Sequence, residues 1–269
     1  IAVLLALTTL FLQVKAQVVI NEYSASNWQQ FQDNHNDFED WIELYNAGPF
    51  AVNLHGYHLS DNPDDLTKFT FPAGSFILPG DYLLVWCSGR DTIDDGNYHM
   101  PFRLTQTKNS PDMIVLSDLD EQIIDSVTLD ITLTHHARAR FPDGAAEWRI
   151  CTAPTPMESN TPAPMFVSYT DRPDFSLDGG FYDTPVWVSI STTEPDAVMH
   201  YTLDGTEPKL DDPIYVDSFL VSTTTVVKAR AFSTHADILP GKIQYNTYFI
   251  DVHHTLPVVS LAGDTLLEL

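Results

Sequence analysis

The residues best suited to chemistry lie in one short polar stretch, residues 32–40, with the sequence QDNHNDFED. Asp33, Asp37 and Glu39 are its strongest candidates, because carboxylate oxygens are preferred ligands of Ca²⁺, which takes six to eight of them. No glycine allows the sharp turn of an EF-hand loop, and His35 stands where that pattern needs an oxygen. The stretch is therefore a candidate calcium site or, alternatively, a polar loop whose side chains cap its own turns.

The other reactive residue types form no catalytic motif. The sequence has no Gly-x-Ser-x-Gly elbow, no glycine-rich loop ending in Lys-Ser or Lys-Thr, and no His-Glu-x-x-His. Two histidine pairs, at 135–136 and 253–254, are adjacent in sequence, so on a strand the two rings of a pair point to opposite faces. A zinc site needs three or four converging ligands. We therefore predict no catalytic residue, no bound cofactor and no enzyme activity in this chain.

Aromatic and cysteine side chains leave two further questions. Trp28 lies in a polar stretch and is the best candidate for an exposed contact, whereas Trp41 and Trp187 lie in predicted strands and are expected in the core. Cys87 and Cys151 could pair in an oxidising compartment, and closing that long loop would contribute about 4 kcal/mol. The spacing leaves the pairing open, because a disulfide requires Cα atoms within about 7 Å.

Short apolar runs, separated by Gly, Pro, Asn and Asp, must position these residues. In the first half, five runs read as strands: residues 18–20, 41–45, 82–87, 113–116 and 123–127. Residues 118–121 separate the last two runs and suit a hairpin loop. No stretch after Gln17 keeps a helical apolar period for three turns. Strands of this length and spacing predict an antiparallel sandwich.

A second series of strands follows a change in composition. Prolines at 154, 156, 162 and 164 predict a stiff linker, because proline cannot donate to a sheet ladder. Beyond it, residues 186–191, 199–203 and 227–231 alternate apolar and polar side chains. Asp204 and Gly205 follow the second of these and predict a tight type I′ hairpin. The fold class expected is all-β, with two tandem immunoglobulin-like β-sandwiches joined by a Pro-rich linker.

The net charge and the N-terminal residues limit the expected binding partners and cellular location. The 269 residues carry a net charge of −24, which opposes binding to nucleic-acid phosphates or anionic lipid. Residues 1–12 are an apolar run too short to span a membrane, and the small residues Val14 and Ala16 suit a signal-peptidase site. We therefore expect residues 1–16 to be a truncated signal peptide and the protein to be secreted or displayed at the cell surface.

The first half resembles the bacterial branch of the lamin-tail domains. The residues that carry this resemblance are VINEYSASN at 19–27, DWIELYN at 40–46, VNLHGY at 52–57, LSDN at 59–62, LLVW at 83–86, FPDG at 141–144 and Trp148. The resemblance implies an immunoglobulin-like sandwich.

The second half resembles the C-terminal accessory domain of chitobiases and β-hexosaminidases. The motifs are GGFY at 179–182, VWVSI at 186–190, YTLDGTEP at 201–208 and VKARAF at 227–232. In those enzymes the catalytic carboxylates lie in a separate domain, so this resemblance implies a spacer or binding role. The sequence LPVVSL at 256–261 is similar to the entry of a spore-coat protein H-like kinase domain, which in that family often follows these two modules.

Together these patterns divide the chain into five parts. The predicted signal peptide covers residues 1–16, the lamin-tail-like sandwich 17–152, the linker 153–166, the second sandwich 167–251, and the start of a further domain 252–269. The first hypothesis is an exported, non-catalytic pair of binding or scaffolding modules that recognise a protein or a polysaccharide at the cell surface. The alternative is the accessory targeting region of a secreted kinase-like phosphotransferase whose catalytic domain lies beyond residue 269.

Overall fold

A computed structural model describes residues 17–107, 109–255 and 258–260. The described residues contain strands, turns and bends but no helix. They divide into two compact units at the bond between Ala163 and Pro164. Each unit is an immunoglobulin-like β-sandwich, so the predicted all-β fold class is confirmed.

The first domain is built from short strands, as the apolar runs predict. Within the described residues its strands, β1 to β13, are Val18–Ser24, Asp40–Asn46, Val52–Asn53, His58–Ser60, Phe69–Thr70, Phe76–Ile77, Tyr82–Cys87, Thr92–Asp94, Asn97–His99, Met113–Ser117, Ile123–Thr128, Ala137–Arg140 and Trp148–Cys151. All five strands expected from the sequence are present, and β10 and β11 pair across the predicted hairpin loop at residues 118–121.

Two main sheets enclose the core of the first domain. One has the order β13–β12–β1–β2–β7–β9–β8, and the other the order β11–β10–β4–β5. Alternate residues of each strand face inward, so Ile42 and Leu44 of β2 join Leu59 of β4 and Ile114 of β10 in one apolar cluster. These residues are fully buried, and their contact holds the two sheets together.

The opposite face of the first sheet is also covered. Trp41 of β2 points away from the main core but is fully buried, because the ring of Phe31 packs edge-on against it at 6.3 Å between centroids. A β-bulge between Ile20 and Glu22 interrupts the pairing of β1 with β2. At this point Glu22 and Glu43 lie opposite each other, and both are fully buried.

The proline-containing residues 153–163, which we call the strap, belong to the first compact unit. The backbone N–H and hydroxyl of Thr155 donate to the Glu22 carboxyl, and the N–H of Met157 donates to Glu43 at 2.6 Å. Asn160 is fully buried and donates to the carbonyl of Arg140. These hydrogen bonds hold the strap against one face of the sheet.

The second domain repeats the sandwich architecture on a smaller scale. Within the described residues its strands, β14 to β24, are Met165–Phe166, Ser168–Tyr169, Asp174–Phe175, Gly180–Tyr182, Val186–Val188, Ile190–Ser191, Ala197–Thr202, Phe219–Val221, Thr225–Ser233, Ile238–Leu239 and Gln244–Ile250. The main sheet has the order β17–β24–β22–β20, and smaller pairs are formed by β18–β21, β16–β19 and β15–β23. Val188, Val221, Val227 and Tyr248 form the core.

The hairpin predicted at Asp204 and Gly205 is wrong. Gly205 has a positive φ of 80°, but Asp204 does not share the positive φ that a type I′ turn requires. The chain instead forms a long loop that returns beside β20, where Tyr201 N–H donates to Pro213 and Tyr215 N–H donates to Met199. β20 then pairs with β22, and the following strand β21 pairs with β18.

Three predictions concern parts of the chain that the structure leaves undescribed. The proposed signal peptide, residues 1–16, lies outside the described residues. So do residues 256–257 and 261 of the kinase-like motif, and residues 256–257 and 261–269 of the further domain predicted at 252–269. Among the described residues, no helix is long and apolar enough to cross a membrane.

Candidate functional site

The loop between β1 and β2 is held by its own polar side chains. Asn27 is buried, accepts a hydrogen bond from the N–H of Phe31, and donates to the carbonyls of Phe31 and Glu39. Asp33 accepts hydrogen bonds from the N–H groups of His35 and Asp37 at 2.8 and 3.0 Å. The loop therefore has a fixed shape, which a binding surface requires.

Two arginines from a distant part of the chain form ion pairs with three carboxylates of this loop. Arg90 contacts Asp33 at 2.8 Å, Asp37 at hydrogen-bond distance and Glu39 at 3.4 Å. Arg103 makes a second, close contact to Glu39. We call these five residues the arginine cluster. The Asp33 side chain is completely buried, and its charge is balanced by a hydrogen-bonded guanidinium.

The arginine cluster contains the three residues considered for calcium. The structure does bring Asp33, Asp37 and Glu39 to one place, but they converge on Arg90. A calcium ion would have to displace this guanidinium and then find six to eight oxygens. No group of three or more His, Cys, Asp or Glu in the described ranges is arranged to hold a metal ion.

A hydrogen-bonded chain of buried Ser88, buried His99 and exposed Asn34 supports the same loop. Ser88 Oγ lies 3.0 Å from His99 Nδ1, and His99 Nε2 lies 2.8 Å from Asn34 Oδ1. Since the Asn34 oxygen accepts from Nε2–H, Nδ1 accepts from the serine hydroxyl, and burial lowers the pKa of His99. The order matches a nucleophile, a base and an orienting group. Ser88 is only 2% exposed, however, so this chain anchors the loop to β7 and β9.

Beside the arginine cluster lies a cavity of about 210 Å³, which we call the Trp28 pocket. Its lining includes Asn27, Trp28, Phe38, Glu39, Asp40 and Arg103. Trp28 and Phe38 are 50% and 40% exposed, and the Arg103 side chain is 64% exposed. The volume is below the 300–1,000 Å³ usual for a drug-sized ligand. The pocket therefore suits one small unit of a larger ligand, in contact with two rings and several polar groups.

Asp40 gives the pocket a titratable group. Burial raises the pKa of Asp40 to about 7, and the neighbouring Glu39 carboxylate acts in the same direction. Hydrogen bonds from the N–H groups of Asn27 and Leu104, together with the charge of Arg103, partly oppose this rise. At neutral pH the Asp40 carboxyl is therefore divided between a hydrogen-bond donor form and an anionic acceptor form.

The aromatic predictions have mixed outcomes. Trp28 is exposed as predicted, and Trp41 is fully buried as predicted. The prediction for Trp187 is wrong, because its side chain is 63% exposed on the outer face of β18. The predicted alternation in this strand is present, with Val188 inward, but alternation does not show whether the outward tryptophan is covered by a loop.

The second acidic group lies beneath the strap. Burial, followed by the neighbouring Glu43 charge, raises the pKa of Glu22 to about 8, and burial raises the pKa of Glu43 to about 8. Asn21 donates to Glu43 and to Asp143. Sequence reasoning missed this pair, although glutamates in otherwise apolar strands were a visible signal.

The two cysteines are free and buried, so the open question of a disulfide is answered against pairing. Cys87 lies on β7 and Cys151 on β13, four positions apart in the sheet order. Four strand spacings amount to about 19 Å, well beyond the reach of a disulfide. Burial raises the pKa of the Cys151 thiol to about 12 and that of Cys87 well above its usual value, so both thiols are poor nucleophiles.

Neither histidine pair lines the Trp28 pocket. His135 adopts a left-handed backbone with φ of 66° and its N–H donates to Ser26. His253 and His254 are exposed, and the His254 ring contacts Phe181 at 5.8 Å. Neither pair belongs to a three-ligand group among the described residues.

Comparisons with known proteins find one family match in each half of the chain. Residues 13–130 match the family model of the Lamin Tail Domain, and residues 177–237 match that of the Chitobiase/beta-hexosaminidase C-terminal domain. The two-module resemblance predicted from the motifs is therefore confirmed. An endoglucanase from Clostridium saccharobutylicum is 45% identical over 42 residues, which cover 16% of this chain and 9% of the endoglucanase. The chain thus matches less than a tenth of this relative's length.

Proposed function

We infer that the protein is an exported, non-catalytic recognition module whose Trp28 pocket binds a sugar unit of a polysaccharide at the cell surface. The observation that carries this proposal is the pair of exposed rings, Trp28 and Phe38, beside a cavity with polar walls. A sugar ring has apolar C–H groups on its faces and hydroxyls at its rim. Aromatic faces suit the former, and amide, carboxyl and guanidinium groups suit the latter.

The rigidity of the loop supports binding. Asn27 is hydrogen-bonded to the backbone carbonyls of Phe31 and Glu39, and Asp33 and Glu39 are paired with Arg90. A ligand therefore meets groups that are already in place, which reduces the entropy lost on binding. The exposed guanidinium of Arg103 keeps free donors, because Glu39 engages only part of it.

The comparisons favour a glycan over a protein ligand. The second domain resembles a part of chitobiases and β-hexosaminidases, and the relative matched over a short segment is an endoglucanase. These are names of carbohydrate-active enzymes, and a part that covers 9% of an enzyme suits an attached module. The net charge of −24 further favours neutral or cationic glycans over anionic ones, nucleic acid or anionic lipid.

A glycan array probed with the full chain tests the proposal. We expect binding to a set of neutral or amino-sugar oligosaccharides, and Trp28→Ala should weaken it about tenfold, the effect of losing one stacked ring. Phe50→Ala is the matched control, because Phe50 is a 73% exposed ring of the same domain that does not line the pocket. Equal binding by Trp28→Ala and the wild type would refute the pocket as the site.

The second candidate function is an accessory region that positions a larger enzyme. The small share of the endoglucanase that matches favours an attached role. A kinase-like phosphotransferase downstream is one form of this candidate, and it stays a prediction from the motif at residues 256–261. Continuing the gene sequence tests it, since a kinase needs a phosphate-binding Lys and metal-binding Asp and Asn.

A further inference from the structure

The outer face of β18 and β21 in the second domain differs in chemistry from the rest of the chain. Trp187 on β18 lies directly opposite Leu220 on β21, and the two side chains are 63% and 46% exposed. Their neighbours Val188 and Val221 are buried in the core. The alternation of the strands therefore places a tryptophan and a leucine side by side on an open surface.

The two sequence segments that contain these strands carry no charged residues. Residues 184–193 and residues 218–227 contain no charged side chain, and ten of these twenty residues are serine or threonine. Since 19% of the whole chain is charged, twenty average positions would carry about four charges. Ser189, Ser218 and Ser222, which flank the Trp187–Leu220 pair, are all at least partly exposed.

We propose that this face, the Trp187 face, is a second carbohydrate-binding surface that takes the flat side of an uncharged, insoluble polysaccharide. A neutral polymer gains nothing from charges, and each charged group would have to lose water on contact. A hydroxyl both donates and accepts, so serine and threonine match sugar hydroxyls in either direction. The tryptophan supplies the apolar ring on which a sugar face packs.

The shape separates this surface from the Trp28 pocket. The Trp28 pocket is a cavity walled by charged residues, whereas the Trp187 face is the outer side of a two-stranded ribbon. A protein partner is the less suitable occupant, since one tryptophan and one leucine are a small part of the roughly 800 Å² that each side of a stable protein interface buries. The proposal stands without the Trp28 pocket, because no residue is shared between them.

Retention on microcrystalline cellulose and on chitin beads tests this proposal with the full chain. We expect at least one of these uncharged solids to retain the wild type equally at about 0.15 M and about 1 M salt. Electrostatic adsorption would instead weaken at the higher salt concentration. Trp187→Ala should lower the partition constant about tenfold and Trp187→Phe much less. Leu210→Ala is the matched control, because Leu210 is a 71% exposed apolar residue of the same domain outside the face.

The variants distinguish the two sites. Trp28→Ala should leave retention on the solids unchanged, and Trp187→Ala should leave the binding of soluble oligosaccharides unchanged. Failure of the wild type to bind either solid, or equal retention of Trp187→Ala, overturns the proposal even if the glycan array supports the Trp28 pocket. Concentration-dependent self-association that Trp187→Ala abolishes, without retention on either solid, would identify a protein interface instead.

Discussion

Two acidic groups in the first domain, the arginine cluster and the strap-covered pair Glu22–Glu43, differ in what surrounds their carboxyl groups. In the arginine cluster, Asp33, Asp37 and Glu39 each contact Arg90. Beneath the strap, Glu22 and Glu43 accept hydrogen bonds from Thr155 and Met157, but no ion pair is recorded for either among the described residues. Burial without a cation raises the pKa of both glutamates to about 8.

The difference shows that an acidic cluster need not be an ion site. A carboxylate taken out of water is unfavourable, and the fold can respond with a partner charge or with a proton. In the loop, the guanidinium of Arg90 supplies the partner charge beside the Trp28 pocket. The strap uses the proton, which makes its attachment to the sheet sensitive to pH.

The largest expected effect is a loss of stability with rising pH. An unfolded glutamate releases its proton near pH 4.5, whereas folded Glu22 and Glu43 hold theirs until about pH 8. Between these values the folded state binds more protons, so its stability is full below pH 4.5 and falls as pH rises. We expect a loss on the order of 5 kcal/mol for the pair.

Urea unfolding at pH 5.5 and pH 8.5 measures this effect through tryptophan fluorescence, since Trp28, Trp41, Trp86 and Trp148 all belong to the first domain. A Glu22→Gln, Glu43→Gln double variant should lose most of the pH dependence and be the more stable form at pH 8.5. If wild type and variant keep the same slope with pH, the pair is not protonated and the contrast between the two clusters fails.

A smaller loss of unfolding free energy is expected when Arg90 is removed from the arginine cluster. Arg90→Ala leaves the completely buried Asp33 carboxylate without its guanidinium, and removing one member of a buried pair is strongly unfavourable. The Arg90 side chain is 28% exposed, so we expect about 3 kcal/mol, at the lower end of the range. Arg149→Ala, which opens an exposed pair with Glu147, should change the unfolding free energy by no more than about 1 kcal/mol. Equal effects of the two variants would mean that burial of Asp33 does not matter.

The sequence predicts the positions of strands better than it predicts which distant residues are in contact. The run at residues 82–87 matches β7 residue by residue, because an uninterrupted apolar run bounded by turns leaves little choice of strand. The acidic loop was also visible from local composition. Its partner Arg90 lies 57 residues away from Asp33, and only the sheet order brings them together. Trp187 was misplaced because alternation shows which side chains share a face but not whether that face is covered.

The smallest expected effect concerns calcium and separates the two interpretations of the loop. Since Arg90 already supplies the positive charge between Asp33, Asp37 and Glu39, adding a chelator or millimolar Ca²⁺ should leave the unfolding midpoint of the wild type unchanged within about 1 °C. An ion bound to the folded state would raise the midpoint in proportion to ln(1 + [Ca²⁺]/Kd). A rise of several degrees with Ca²⁺ would therefore show that the ion competes successfully with a guanidinium. The charge balance of the arginine cluster would then depend on the Ca²⁺ concentration, as that of the strap-covered pair depends on pH, and not on the fold alone.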